Sequence, residues 1–150
     1  MSSSTKIRRA PLRLATGAFI LNSGVDHLQA DAETAAQLQD MAAGTYPFLR
    51  KVDPGLFTKA LAIGELAVGG LLLAPVVPTG LAGLALTGFA VGLVGLYART
   101  PGLRREHSVF PTQQGLGYAK DSWLAAIGIA LFTDAVLEEK PHGAPGSGSA

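Results

Sequence analysis

Apolar positions in this chain are clumped into four runs, separated by two long polar connections and one tight turn. The clearest run is Phe57 to Val77, FTKALAIGELAVGGLLLAPVV, in which Leu61 to Val77 supplies 17 residues with Glu65 as their only charge. A helix needs roughly 20 mostly apolar residues to cross about 30 Å of hydrocarbon, so this run predicts a membrane-spanning helix. Comparable runs predict spans over about 11–28, 80–97 and 117–137. Pro75 and Pro78 end the second span, and Val76 to Gly80 leaves room only for a tight turn, so helices two and three are expected to be antiparallel neighbours. The predicted fold class is all-α: an integral membrane, antiparallel four-helix bundle. Both long connections lie on one face, with the tight turn and both termini on the other.

Residues 1–10 are polar and basic (Lys6, Arg8, Arg9) and read as a flexible flank, with Pro11 suited to the first turn of helix one. Gln29 to Gly55 starts helix-like and then turns through Gly44, Tyr46-Pro47 and Asp53-Pro54-Gly55, with Tyr46, Phe48 and Phe57 as interfacial anchors. Arg99 to Asp121 holds Arg99, Arg104, Arg105, His107 and Lys120, with Pro101 and Pro111 as breakers; its basic cluster suits anionic lipid headgroups or an acidic partner. Residues 138–150, ending GAPGSGSA, have the composition of a flexible tail.

Composition agrees with a membrane setting: 48% hydrophobic residues, 15% charged and a mean hydropathy of +0.32. The 19 glycines fit helices that approach closely where lipid supplies no hydrophobic drive. Gly17 and Gly24 fall on one face of helix one, Gly64 lies in helix two, and Gly88 with Gly92 forms a GxxxG in helix three; all five are read as helix-packing positions. Without cysteine there is no disulfide, thiol catalysis or thiolate metal site, and a net charge of +1 gives no attraction for nucleic acid. A signal peptide is disfavoured for residues 11–28 because Asn22, Asp26 and His27 interrupt the apolar core and three more spans follow. Lys6, Arg8, Arg9 and Arg13 orient both termini to the cytoplasm, although Lys and Arg number five on that face, with Lys140, against seven on the other.

Converting position to depth at about 1.5 Å per residue sorts the interior polar groups into layers. Asp26, His27, Lys59, Lys120 and Asp121 fall near the face of the long connections, Asn22 and Glu65 roughly 10 Å deeper, and Arg13 with Asp134 towards the opposite face. The expected pairs are Lys59 with Asp26 or Asp121, Glu65 with Asn22, and Arg13 with Asp134. The end layers read as structural pairs fixing helix register. Glu65, in mid-span with no cation expected at its depth, is read as neutral or as hydrogen-bonded to a polar ligand. His27 is fit to bind a quinone-type carbonyl, to shuttle a proton or to ligate metal. The candidate ligand-binding residues are Glu65, Asn22 and His27; no converging metal-ligand set and no nucleophilic catalytic arrangement is recognisable.

RLATGAFILNSGVDHL in helix one, IGELAVGGLLLAP in helix two and AKDSWLAAIGIAL in helix four together resemble the DoxX family of small four-helix bacterial membrane proteins, over about residues 11–137. Arg13, His27 (often lysine in that family), Glu65, Lys120 and Asp121 match its polar pattern. The resemblance implies a multi-pass protein of the bacterial inner membrane, an accessory subunit of a quinone-linked or respiratory redox complex with no catalytic activity of its own. The alternative is an autonomous quinone-binding oxidoreductase or a proton-coupled carrier using Glu65. No covalently bound cofactor is expected; quinone is the ligand class, and lipids, other membrane subunits or further copies of the chain are the partners.

Overall fold

The computed structural model describes residues 3–139. These form helices α1 (Ser3–Leu28), α2 (Ala32–Thr45), α3 (Pro54–Leu73), α4 (Thr79–Arg99), the single turn α5 (Leu116–Ala119) and α6 (Asp121–Glu139), with a 3₁₀ turn at Pro47–Lys51. Among the described residues there is no strand, only an isolated bridge between Arg104 and Pro111. The all-α expectation holds.

Several boundaries differ from those predicted. The basic flank expected to be flexible is the first two turns of α1, and the helix continues through Pro11. Proline removes one helical hydrogen bond, but the segment before it is held from outside, because Arg8 and Arg9 pair with acids of α6. The expected tail starts too early as well: Glu138 lies inside α6 and pairs with Arg9, while residues 140–150 lie outside the described residues. The fourth span is broken at Lys120, between α5 and α6.

Local chemistry explains the ends. The Asp31 carboxylate accepts from Thr34 N–H at 2.8 Å and opens α2, and these bonds hold its pKa below the usual range. Asp53 caps α3 in the same way through Leu56 N–H, followed by Pro54 in the first turn. At the other end Ala74 precedes Pro75, a position biased away from helix, and α3 stops at Leu73.

The helices pack in two pairs, α1 along α3 and α4 along α6. The short α3–α4 turn keeps those two helices in contact, as neighbours, but α4 takes α6 as its main partner. The reason is where backbones can touch. A Cβ at Gly83 would stand 2.7 Å from the Phe132 amide of α6, and one at Gly128 2.7 Å from the Thr87 amide of α4, so two glycines on facing helices remove the obstacle to contact. Across the first pair, Gly17 lies against Leu72 and Leu73, Gly24 against Ala62, Glu65 and Leu66, and Gly69 against Leu21 and the Gly17 carbonyl. Ile20, Val68, Leu72, Ala82, Leu86, Ala90, Leu124 and Leu131 fill the space between.

Within the bundle the GxxxG packs no helix: Gly88 and Gly92 would each receive a Cβ with nothing within 4 Å, and Gly64 would reach only the rim of Phe89 at 3.9 Å. Gly95 instead accommodates Tyr46, whose hydroxyl donates to the Gly92 carbonyl at 3.0 Å. A paired substitution tests this assignment. Gly83→Val is expected to lower stability by about 2 kcal/mol through overpacking, while Gly88→Val changes thermal unfolding in detergent little.

Helices α3 and α4 are long and apolar enough to cross a membrane, yet only 33% and 28% of their most apolar windows are buried. Ile63, Leu81, Leu84 and Val91 are all more than half exposed.

Candidate functional site

The close approach at Gly24 decides what faces Glu65. With Gly24 seated against the turn of α3 that carries Ala62 and Glu65, the flanking Ser23 and His27, four residues apart and thus on one side of α1, project towards the carboxylate. Ser23 Oγ donates to Glu65 Oε1 at 2.9 Å, and His27 Nδ1 stands 2.6 Å from Oε2. Glu65 is buried, at 4% exposure, while His27 is partly open. A carboxylate with both oxygens engaged and an imidazole edge against one of them is a proton-sharing pair: with the proton on Nδ1 of a neutral ring Nε2 is an acceptor, with the proton on Oε2 it is a donor, and either way Nε2 is left for another partner. Among the described residues Nε2 makes no hydrogen bond.

Two more charged groups surround this pair. Asp121, buried at the start of α6, lies within Coulombic reach of both Glu65 and the adjacent Lys120. The Lys120 ammonium sits 4.7 Å from the centre of the Phe19 ring, so α6 begins beside the middle of α1. The polar centre therefore gathers groups from α1, α3 and the α5–α6 junction. Asp26 contributes a second negative charge to the surroundings of His27.

Each sequence-predicted residue can now be placed. Glu65 and His27 come together, although His27 was expected some 10 Å nearer the loops. That estimate assumed helices ending level. Helix α1 instead stops near the level of Glu65, and α2, with Ala35, Gln39, Ala42 and Ala43 buried, packs on α3 beyond it. Asn22 does not face Glu65: it is exposed and donates to Asp26 at 3.0 Å on the outer side of α1. Lys59 is exposed and forms no ion pair among the described residues, so its pairing with Asp26 or Asp121 is corrected. Sequence reasoning missed Ser23, whose signal was its spacing of four from His27 around Gly24.

The Arg13–Asp134 pair is also corrected. Asp134 is taken by Arg8 and Arg9, at 2.6 and 2.5 Å, and Arg9 reaches Glu138 as well at 2.9 Å. Arg13 instead donates to four backbone carbonyls, Leu71 (3.0 Å), Leu72 (2.8 Å), Ala74 (2.8 Å) and Val77 (3.1 Å), and to the Thr79 hydroxyl (3.1 Å). All its N–H groups are thereby used. Pro75 and Pro78 explain the demand: in a continuing helix their amides would have served Leu71 and Ala74, and proline has none. Arg13 is thus the C-terminal cap of α3, and through Thr79 it ties one helix pair to the other.

A quinone-type carbonyl requires a donor aimed at it. His27 Nε2–H meets that requirement when the shared proton sits on Glu65 Oε2 and Nδ1 accepts it, or when the ring is protonated on both nitrogens; the Asn22 amide, turned to Asp26 on the exposed side of α1, does not. No group of three or more His, Asp or Glu side chains converges for a metal ion among the described residues. No family model, no curated protein and no solved structure matches this chain.

Proposed function

We propose that this chain is a DoxX-like protein of the bacterial inner membrane, an accessory subunit of a redox complex in which the His27–Glu65 pair meets the headgroup of a quinone-type molecule. The observation that carries the reading is the buried Glu65 carboxylate held 2.6 Å from a partly open histidine whose second nitrogen has no hydrogen-bond partner among the described residues. A carboxylate is expensive in an apolar span, and this one is supported by a serine, a histidine and a carefully seated glycine rather than by an arginine that would neutralise it outright. Such a pair can pass one proton between Nδ1 and Oε2, and with that proton on Oε2 the ring presents Nε2–H to a ligand carbonyl. When bound, a quinone would supply the electron chemistry.

The membrane setting is supported by α3 and α4, whose apolar surface faces mostly out of the fold. A subunit role is supported by α4, where exposed Gly88 lies among exposed Leu81, Leu84 and Val91, a surface suited to another protein's helix.

Purification from membranes in mild detergent, with mass spectrometry of co-migrating polypeptides and extracted quinone, tests the proposal. Oxidoreductase subunits and quinone are expected, with Glu65→Gln retaining at least about tenfold less quinone in protein that still folds, the loss of one charge-assisted contact. Recovery alone and free of quinone would overturn the reading. Recovery alone with stoichiometric quinone would replace the subunit role by autonomous quinone binding.

A further inference from the structure

We propose that the loop between α4 and α5 is a binding site for the phosphate of an anionic phospholipid headgroup. The inference rests on the membrane reading, because α4 ends at Arg99 and a loop leaving the end of a spanning helix lies at headgroup level.

The loop is built rather than slack. Thr112 N–H donates to the Leu103 carbonyl at 2.9 Å and its hydroxyl to Gly102 at 2.6 Å, closing the base. Gly115 passes so close to the Leu103 carbonyl that any Cβ there would collide with it. The buried Tyr97 donates its hydroxyl to the Val109 carbonyl at 2.8 Å, pinning the far end of the loop to α4. Arg105 N–H bonds the Phe110 carbonyl at 3.0 Å, and His107 turns the chain at φ 56°.

This scaffold leaves a cleft of about 550 Å³ lined by Arg99, Arg104, Arg105 and His107, with Glu106 the one acid in its wall. Arg105 spends its Nε on the Pro111 carbonyl, and among the described residues none of the three arginines forms an ion pair. Beside the cleft, Val109 and Phe110 are 74% and 66% exposed. Uncompensated guanidinium groups next to an apolar knuckle match the two halves of a lipid, phosphate and acyl chain. An acidic protein segment would match the charge and leave Val109 and Phe110 without a partner.

The full chain in nanodiscs of mixed phosphatidylcholine and phosphatidylglycerol, examined by native mass spectrometry, tests this. Retained phosphatidylglycerol is expected to exceed its share of the bilayer several-fold. Arg104→Gln should reduce that enrichment about fivefold, and Arg104→Gln/Arg105→Gln should abolish it. Phe110→Ser is expected to weaken it, and Glu106→Gln to raise it. Lys59→Gln, which removes a charge elsewhere, should leave it unchanged. Equal loss with Lys59→Gln, unchanged enrichment in the double variant, displacement by millimolar inorganic phosphate, or capture of an acidic polypeptide with lipid unaffected would each overturn the proposal. Failure to enter nanodiscs would instead defeat the membrane reading beneath it.

Discussion

Arg13→Ala is expected to lower the thermal unfolding midpoint in detergent by about 10 °C, corresponding to a loss of about 3 kcal/mol. The substitution strips donors from Leu71, Leu72, Ala74 and Val77 at a helix end where two prolines supply none. It also releases Thr79, and with it a link between the two helix pairs. Arg13→Lys should recover only part of the loss, since three donors on one nitrogen cannot cover a fan of five acceptors. Differential scanning fluorimetry of the three proteins checks the order wild type, lysine, alanine. A lysine variant as stable as wild type would show that charge at this position matters and the fan of hydrogen bonds does not.

The second large effect is a coupling. His27→Leu leaves the buried Glu65 carboxylate with Ser23 alone, and Glu65→Leu leaves His27 Nδ1 without its partner. Each single change is expected to cost about 2 kcal/mol, below the usual range for a buried pair because water can reach His27. The double variant His27→Leu/Glu65→Leu should cost little more than either single one, a coupling of about 2 kcal/mol. Unfolding midpoints of the four proteins measure it. Additive losses would mean that the two side chains do not interact, and the proposed polar centre would be lost with them.

Much of the fold was legible in the chain. Pro75 announced the end of α3 and the length of the apolar runs set the scale of α3 and α4, whereas Asp53-Pro54, read as part of a turn before a span starting at Phe57, is the cap and first residue of α3. Glu65 was conspicuous because a lone carboxylate in an apolar run demands a partner. Its partner was not legible, since depth counted from loop positions presumes helices ending level, and α2, folded down onto α3, removes that premise. Arg13 was read as one half of an ion pair because periodicity shows charges and conceals the orphaned carbonyls that proline creates. The Gly88/Gly92 motif misled for a related reason: spacing identifies a groove and says nothing of which helix fills it, and the groove used against α6 is at Gly83.

The sequence by itself determined an all-helical chain, the terminating prolines, and a carboxylate too costly to be incidental, because these follow from apolar periodicity and local backbone chemistry. Only the tertiary structure decided that α1 pairs with α3 and α4 with α6, that Ser23 and His27 rather than Asn22 meet Glu65, and that Arg13 serves backbone while Arg8 and Arg9 serve Asp134. Those choices depend on where glycines allow two backbones to approach and on the rotation about each helix axis that follows, quantities set between segments distant in the chain.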